Sequence, residues 1–134
     1  MSDILIVDQL PAWEPLVIKQ GDDFALTYLL QSYDPVLGEY VTLSTAGYTA
    51  KMKVRPDYDQ PAVLECTTAN GRLTVGLQGT APYQYNLLLS IAKATTAALT
   101  DWGEGIYDLV LVDTFGKEKT ILEGTCCLRR RVTY

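Results

Sequence analysis

Hydrophobic and polar residues alternate along most of this chain with a period of two, the signature of strands rather than helices. The cleanest case is Tyr48–Arg55, where Tyr48, Ala50, Met52 and Val54 share one side and Thr49, Lys51, Lys53 and Arg55 the other. Such a strand lays one face on a core and the other in water. Phe24–Tyr33 starts in the same way, with Phe24, Leu26, Tyr28 and Leu30 directed inward. Ile106–Val112 differs, because every position except Asp108 is apolar or aromatic. A run of that kind, rich in β-branched residues, fits a strand covered on both faces, so it is the predicted central strand.

Turn residues divide the remainder into short segments. Leu16–Gln20 reads as an edge strand closed by Gly21-Asp22-Asp23. Asp34–Gly38 forms a loop that returns the chain into Glu39–Leu43, predicting a hairpin. Ala62–Thr67 and Arg72–Val75 flank Asn70-Gly71, a strong hairpin signal, which predicts that those two strands pair. Tyr83–Leu89 is a further strand, and Ser90–Leu99 reads as a short helix with Ser90 as its N-cap. Asp113–Gly116 then turns the central strand into its partner, Lys119–Leu128. Roughly nine short strands with one helix, at about residues 90–100 before the penultimate strand, point to an all-β antiparallel sandwich rather than parallel α/β units. Gly103 and Gly105 bend the chain into the central strand, where Tyr107 stands two residues before Leu109. In an immunoglobulin-like sandwich a tyrosine at this corner returns its hydroxyl to upstream backbone, and the alternative is an ordinary buried tyrosine.

Composition narrows the chemistry. The 134 residues suffice for one domain with a sizeable core, and 48% hydrophobic with 20% charged residues is a globular balance. A net charge of −5 and the absence of histidine disfavour nucleic acid as a partner and leave no imidazole base or metal ligand. Ser32, Ser44 and Ser90 therefore have no histidine to activate them. Asp22-Asp23 and Asp57 with Asp59 lack calcium-loop spacing and read as turn chemistry. Gly76, Gly79, Gly103 and Gly105 lack the strand–loop–helix order of a phosphate cradle. Cys66, Cys126 and Cys127 form neither an even framework nor a C-x-x-C pair, so free thiols in a reduced compartment are expected. Adjacent strand residues face opposite ways, so at most one of Cys126 and Cys127 can share the core with Cys66. No catalytic, cofactor-binding or metal-ligating residue is nominated, and the chain is expected not to be an enzyme.

Two segments are candidates for partner binding. Ile4, Leu5, Ile6 and Val7 form an apolar run followed by Pro11 and Pro15, so residues 1–15 read as an arm or an edge strand ahead of a domain at 16–134. Arg129, Arg130 and Arg131 make a basic cluster at the end of a strand, read as a solvated or partner-facing edge. The N-terminus lacks the positive region and small-residue site of a signal peptide, and no apolar stretch approaches the length of a membrane span.

Several segments carry a resemblance in their joint order: Val17–Phe24, Ala46–Arg55, Leu64–Gly71, Gly105–Asp113 and Leu122-Glu123-Gly124. Together they resemble small tailed-bacteriophage virion proteins, in particular the immunoglobulin-like N-terminal domains of phage baseplate, tail and fibre-anchoring proteins. The resemblance covers about residues 16–134 and departs from the pattern in the N-terminal segment, the Tyr33–Tyr40 hairpin and the cysteines. It implies an immunoglobulin-like sandwich and a structural role in a virion assembled in the host cytoplasm. The implied partners are other virion proteins, with the chain multicopy or a homo-oligomer, and no nucleic acid, membrane or cofactor. A capsid decoration protein, or a carbohydrate- or receptor-binding module of the same fold, is the alternative.

Overall fold

The structure, a computed structural model, describes residues 3–99 and 102–130. Two sheets face each other across one core. The first contains β1 (Asp3–Ile6), β4 (Phe24–Asp34), β9 (Tyr85–Ile91) and β8 (Leu73–Gln78) in that order, with β5 (Glu39–Thr42) paired to the far half of β4. The second runs β11 (Glu118–Arg129), β10 (Glu104–Val112), β6 (Thr49–Arg55) and β7 (Leu64–Thr67). Its outer edge is closed by β2 (Ala12–Trp13) and β3 (Leu16–Lys19), both parallel to β11. This is the immunoglobulin-like arrangement, with β1, β4, β9 and β8 as the backbone of one five-stranded sheet and β6, β10 and β11 at the heart of the other.

The alternation explains the packing. Ala50, Met52 and Val54 of β6 and Tyr107, Leu109 and Leu111 of β10 are buried, facing Tyr28, Leu30, Leu87 and Leu89 of the opposite sheet. The predicted central strand is central, since β10 pairs with β6 along one edge and β11 along the other, but it is not covered on both faces: Asp108 is exposed and Ile106, Val110 and Val112 are half-buried on its outer side. Cys66 and Cys126 are in this core and Cys127 faces outward, half-buried, which is the division that strand geometry requires.

Two further expectations are revised and two open readings are decided. Asn70-Gly71 does not close a hairpin: β7 pairs with β6 and β8 with β9, so the turn carries the chain between sheets. Asn70 Oδ1 accepts the N–H groups of Thr67 and Arg72, both at 3.0 Å, while Arg72 Nη1 donates to the Glu65 carbonyl at 2.8 Å. Side chains thus take up the groups a ladder would have used, and each apolar strand face is free to choose its sheet.

The helix is shorter than expected, with α1 spanning Lys93–Ala98. Ser90 lies in β9, its N–H donating to the Arg72 carbonyl at 2.8 Å, so it caps nothing. The cap comes from the turn between β3 and β4, where Asp23 Oδ1 accepts the Lys93 N–H at 2.8 Å and the Asp22 carbonyl accepts the Thr96 hydroxyl at 2.8 Å.

Tyr107 returns its hydroxyl to upstream backbone, donating to the distant Glu14 carbonyl at 2.6 Å. Tyr28 of the other sheet donates to Glu14 Oε2 at 3.1 Å, and the Glu14 N–H donates to the Glu123 carbonyl at 2.9 Å. Glu14 therefore ties both sheets to the N-terminal segment. Gly124 makes this possible, because a side chain there would collide with the Glu14 carbonyl.

Of the two readings of residues 1–15, the edge strand is the one found. β1 runs parallel to β4 with Leu5 buried against the core, and β2 then lies on β11. The outward arm gives way because Asp8–Leu10 turns the chain from one sheet to the other, leaving Pro15 between β2 and β3, where no ladder hydrogen bond is lost.

Candidate protein-interaction surface

Beyond Tyr28, β4 has no residue paired with β9. At that point Asn86, fully buried in β9, accepts the Leu30 N–H at 2.6 Å and donates to the Leu30 and Leu43 carbonyls at 3.1 and 3.3 Å. Its amide stands in for backbone, so β4 can leave its neighbour and continue into the hairpin with β5 at no cost in unpaired buried groups. At the tip, Asp34 Oδ1 accepts the N–H groups of Val36 and Leu37, at 2.9 and 3.3 Å, and Gly38 donates to the Asp34 carbonyl at 2.8 Å with φ +69°. The backbone of the loop is satisfied from within. Its side chains are left outside, with Val36 91% and Leu37 63% exposed.

Neighbouring segments brace this hairpin. Tyr33 and Tyr40 meet edge to face at 5.4 Å, Gln9 Nε2 donates to the Tyr40 hydroxyl at 3.2 Å, and Asp8 Oδ2 accepts the Tyr33 N–H at 2.6 Å. Leu10 follows, almost fully exposed. The turn between β10 and β11 is built in the same way, with Asp113 Oδ1 accepting the N–H groups of Phe115 and Lys117 at 2.8 and 2.9 Å, and Phe115 projects from it. Asp8, Ser32, Tyr48, Asp113 and Lys117 line one shared cavity of about 190 Å³, so the turn and the brace belong to the same end of the sandwich. Leu10, Tyr33, Val36, Leu37, Tyr40 and Phe115 make this the end where exposed large apolar side chains concentrate among the described residues.

The residues nominated from sequence fall elsewhere. Leu5 is core, Ile6 and Val7 are half-buried, and Ile4 is the one member of its run with a largely exposed apolar side chain. Arg129 and Arg130 are exposed at the end of β11, where Arg129 pairs with Lys19, and Arg131 lies outside the described residues. Lys19 leads by a turn to the start of β4, whereas Ile6 pairs with Gln31 towards its far end, so the structure does not bring the two clusters together. The hairpin tip was missed because Asp-Pro-x-x-Gly reads as a turn and nothing more. The signal present was Val36-Leu37, two large apolar residues where turn chemistry favours polar ones.

Thiol chemistry has poor prospects. Burial pushes the Cys66 thiol up to about 11 and the Cys126 thiol up to about 12, and Cys127 is raised by burial and by Glu104, to which its Sγ donates at 3.6 Å. All three are protonated near neutral pH, which suits structural thiols and not nucleophiles. Among the described residues no three Asp, Glu or Cys side chains are grouped to hold a metal ion.

No protein-family model matches this sequence, and no curated protein matches it. Among solved structures the chain is similar to extracellular domains 3–5 of Drosophila OTK, at 18% sequence identity and a TM-score of 0.39, over 92% of this chain and 35% of that one. The chain thus spans about a third of that neighbour's length, and a likeness so slight has no bearing on function.

Proposed function

We propose that this chain is a non-enzymatic structural component of a tailed-phage virion, in the tail, baseplate, neck or fibre anchor, and that it works by protein–protein assembly. The virion context rests on the sequence resemblance. The assembly mode rests on one observation, the apolar tip of the β4–β5 hairpin, where Val36 and Leu37 are held in water by a loop whose backbone is already satisfied. Burying the two side chains contributes about 1.5–3 kcal/mol each, and the rigid loop keeps the ordering cost of docking low. Leu10, Tyr40 and Phe115 extend the patch, and the N-terminal strand, occupied with its own sandwich, is not required as an arm.

The test is mass spectrometry of purified particles. The reading expects the protein at fixed copy number, and its absence from particles sinks the virion assignment. The double variant Val36→Asp, Leu37→Asp addresses the surface: it should melt as the parent does but fail to enter particles. Incorporation at parental occupancy would remove the hairpin from the account.

A further inference from the structure

The outer face of the second sheet carries a separate groove, well away from the hairpin tip. Its floor is a transverse row set by strand register, Trp13 opposite Glu123, Glu123 opposite Asp108 and Asp108 opposite Lys53, with Glu65 beyond Lys53 outside the lining. Arg55, Ile106 and Gly124 complete a shallow cavity of about 280 Å³, and Tyr58 leans over it from the loop after β6. That loop is anchored beneath Tyr58 by Arg55 Nη1, which donates to the Gln60 carbonyl at 2.9 Å. Trp13 and Tyr58 are 66% and 81% exposed, and neither stacks on another aromatic among the described residues. Three strand spacings separate Trp13 from the strand that leads into the Tyr58 loop, about 14 Å.

Each feature restricts the ligand. Two acids and two bases line the groove, so it selects neither an anion nor a cation by net charge. Lys53 is engaged with Glu65 at 3.8 Å and Arg55 with the loop, while the Asp108 and Glu123 carboxylates accept no hydrogen bond or ion pair among the described residues. Two adjacent free carboxylates are acceptors for paired hydroxyl donors. Flat aromatic faces at both ends suit a ligand with polarised C–H bonds on a flat side, since the ring face is negative. The volume lies at the lower end of what small-ligand pockets enclose. We propose that this groove binds a neutral pyranose saccharide, with Trp13 and Tyr58 stacking on sugar rings and Asp108 and Glu123 accepting from hydroxyls. The site is independent of the assembly surface and does not rest on the virion reading.

The experiment titrates the ¹⁵N-labelled full chain separately with maltotriose, cellotriose and triacetylchitotriose at millimolar concentrations, followed by amide and indole shifts. Saturable shifts at Trp13, Tyr58, Asp108 and Glu123 are expected with at least one of them. Trp13→Ala and Tyr58→Ala, both at exposed positions, should each weaken that binding about tenfold or more, while Val36→Asp leaves it unchanged. No saturable shift with any of the three sugars, or shifts centred outside the groove, overturns the proposal. So does a Gly-Arg repeat peptide that moves these residues when the sugars do not, which would assign the groove to a cationic partner.

Discussion

Asn86 and Leu109 show how much single residues carry here. Asn86 is 0% exposed and makes three hydrogen bonds to the backbone of Leu30 and Leu43. Asn86→Ala leaves the Leu30 N–H buried without an acceptor, and the expected loss, read by urea unfolding, is about 2–4 kcal/mol. Leu109 sits in the middle of β10 at 0% exposed, and Leu109→Ala should cost about 2–5 kcal/mol by the same measurement. The thiols give a pH dependence of definite sign. In the unfolded chain Cys66 and Cys126 ionise near 9, whereas in the folded protein burial holds them to about 11 and 12. Below pH 9 both states are protonated and the full stability is present. Above it the unfolded state loses protons first, so stability falls as pH rises towards 11 to 12, with Tyr28 and Tyr107, also raised by burial, steepening the fall above pH 10. Unfolding free energies flat from pH 7 to 9 and declining beyond would agree; a flat profile through pH 11 would not. At neutral pH a thiol reagent should reach Cys127 alone in the native protein and three groups after denaturation.

At the scale of elements, the sequence was most legible where alternation ran longest. β4 and β6 follow from the period of two, and the inward face of β6 comes out residue for residue, whereas the apolar run of β10 marked a central strand but not which of its faces is buried. Legibility failed at connections, because a turn motif specifies a local reversal and says nothing of which sheet the next strand joins. Asn70-Gly71 is the example: its positive φ at Gly71 is as the motif requires, yet β7 and β8 part. The helix boundary failed for a related reason, since its cap is supplied by Asp23, about seventy residues distant in sequence. The candidate surface was illegible in part because exposure depends on neighbours: Phe115, Leu10 and Val36 lie far apart in the chain and meet only at one end of the sandwich. Asp23→Ala should therefore destabilise α1 by about 1 kcal/mol, measured as faster amide exchange in Lys93–Ala98, with little effect on β10.

For the molecule as a whole, residues 3–19 are structural. Deleting residues 2–10 removes β1 and the buried Leu5, which should cost about 2–5 kcal/mol in thermal or urea unfolding; a truncated chain as stable as the parent would return the segment to the role of a free arm. The Glu14 tie has a further consequence, for how far the chain must travel to close the fold. β3 pairs with the C-terminal half of β11, Leu16 facing Cys126 and Lys19 facing Arg129, so segments about 110 residues apart in sequence must meet. Tyr28 lies 14 residues from Glu14, whereas Tyr107 lies 93 away and Glu123 and the bare backbone of Gly124 lie further still. Until β11 is in place Leu16 and Ile18 have no strand to lie on. Loop-closure entropy is spent on such non-local pairing before any contact rewards it, so this edge of the sandwich is expected to close slowly.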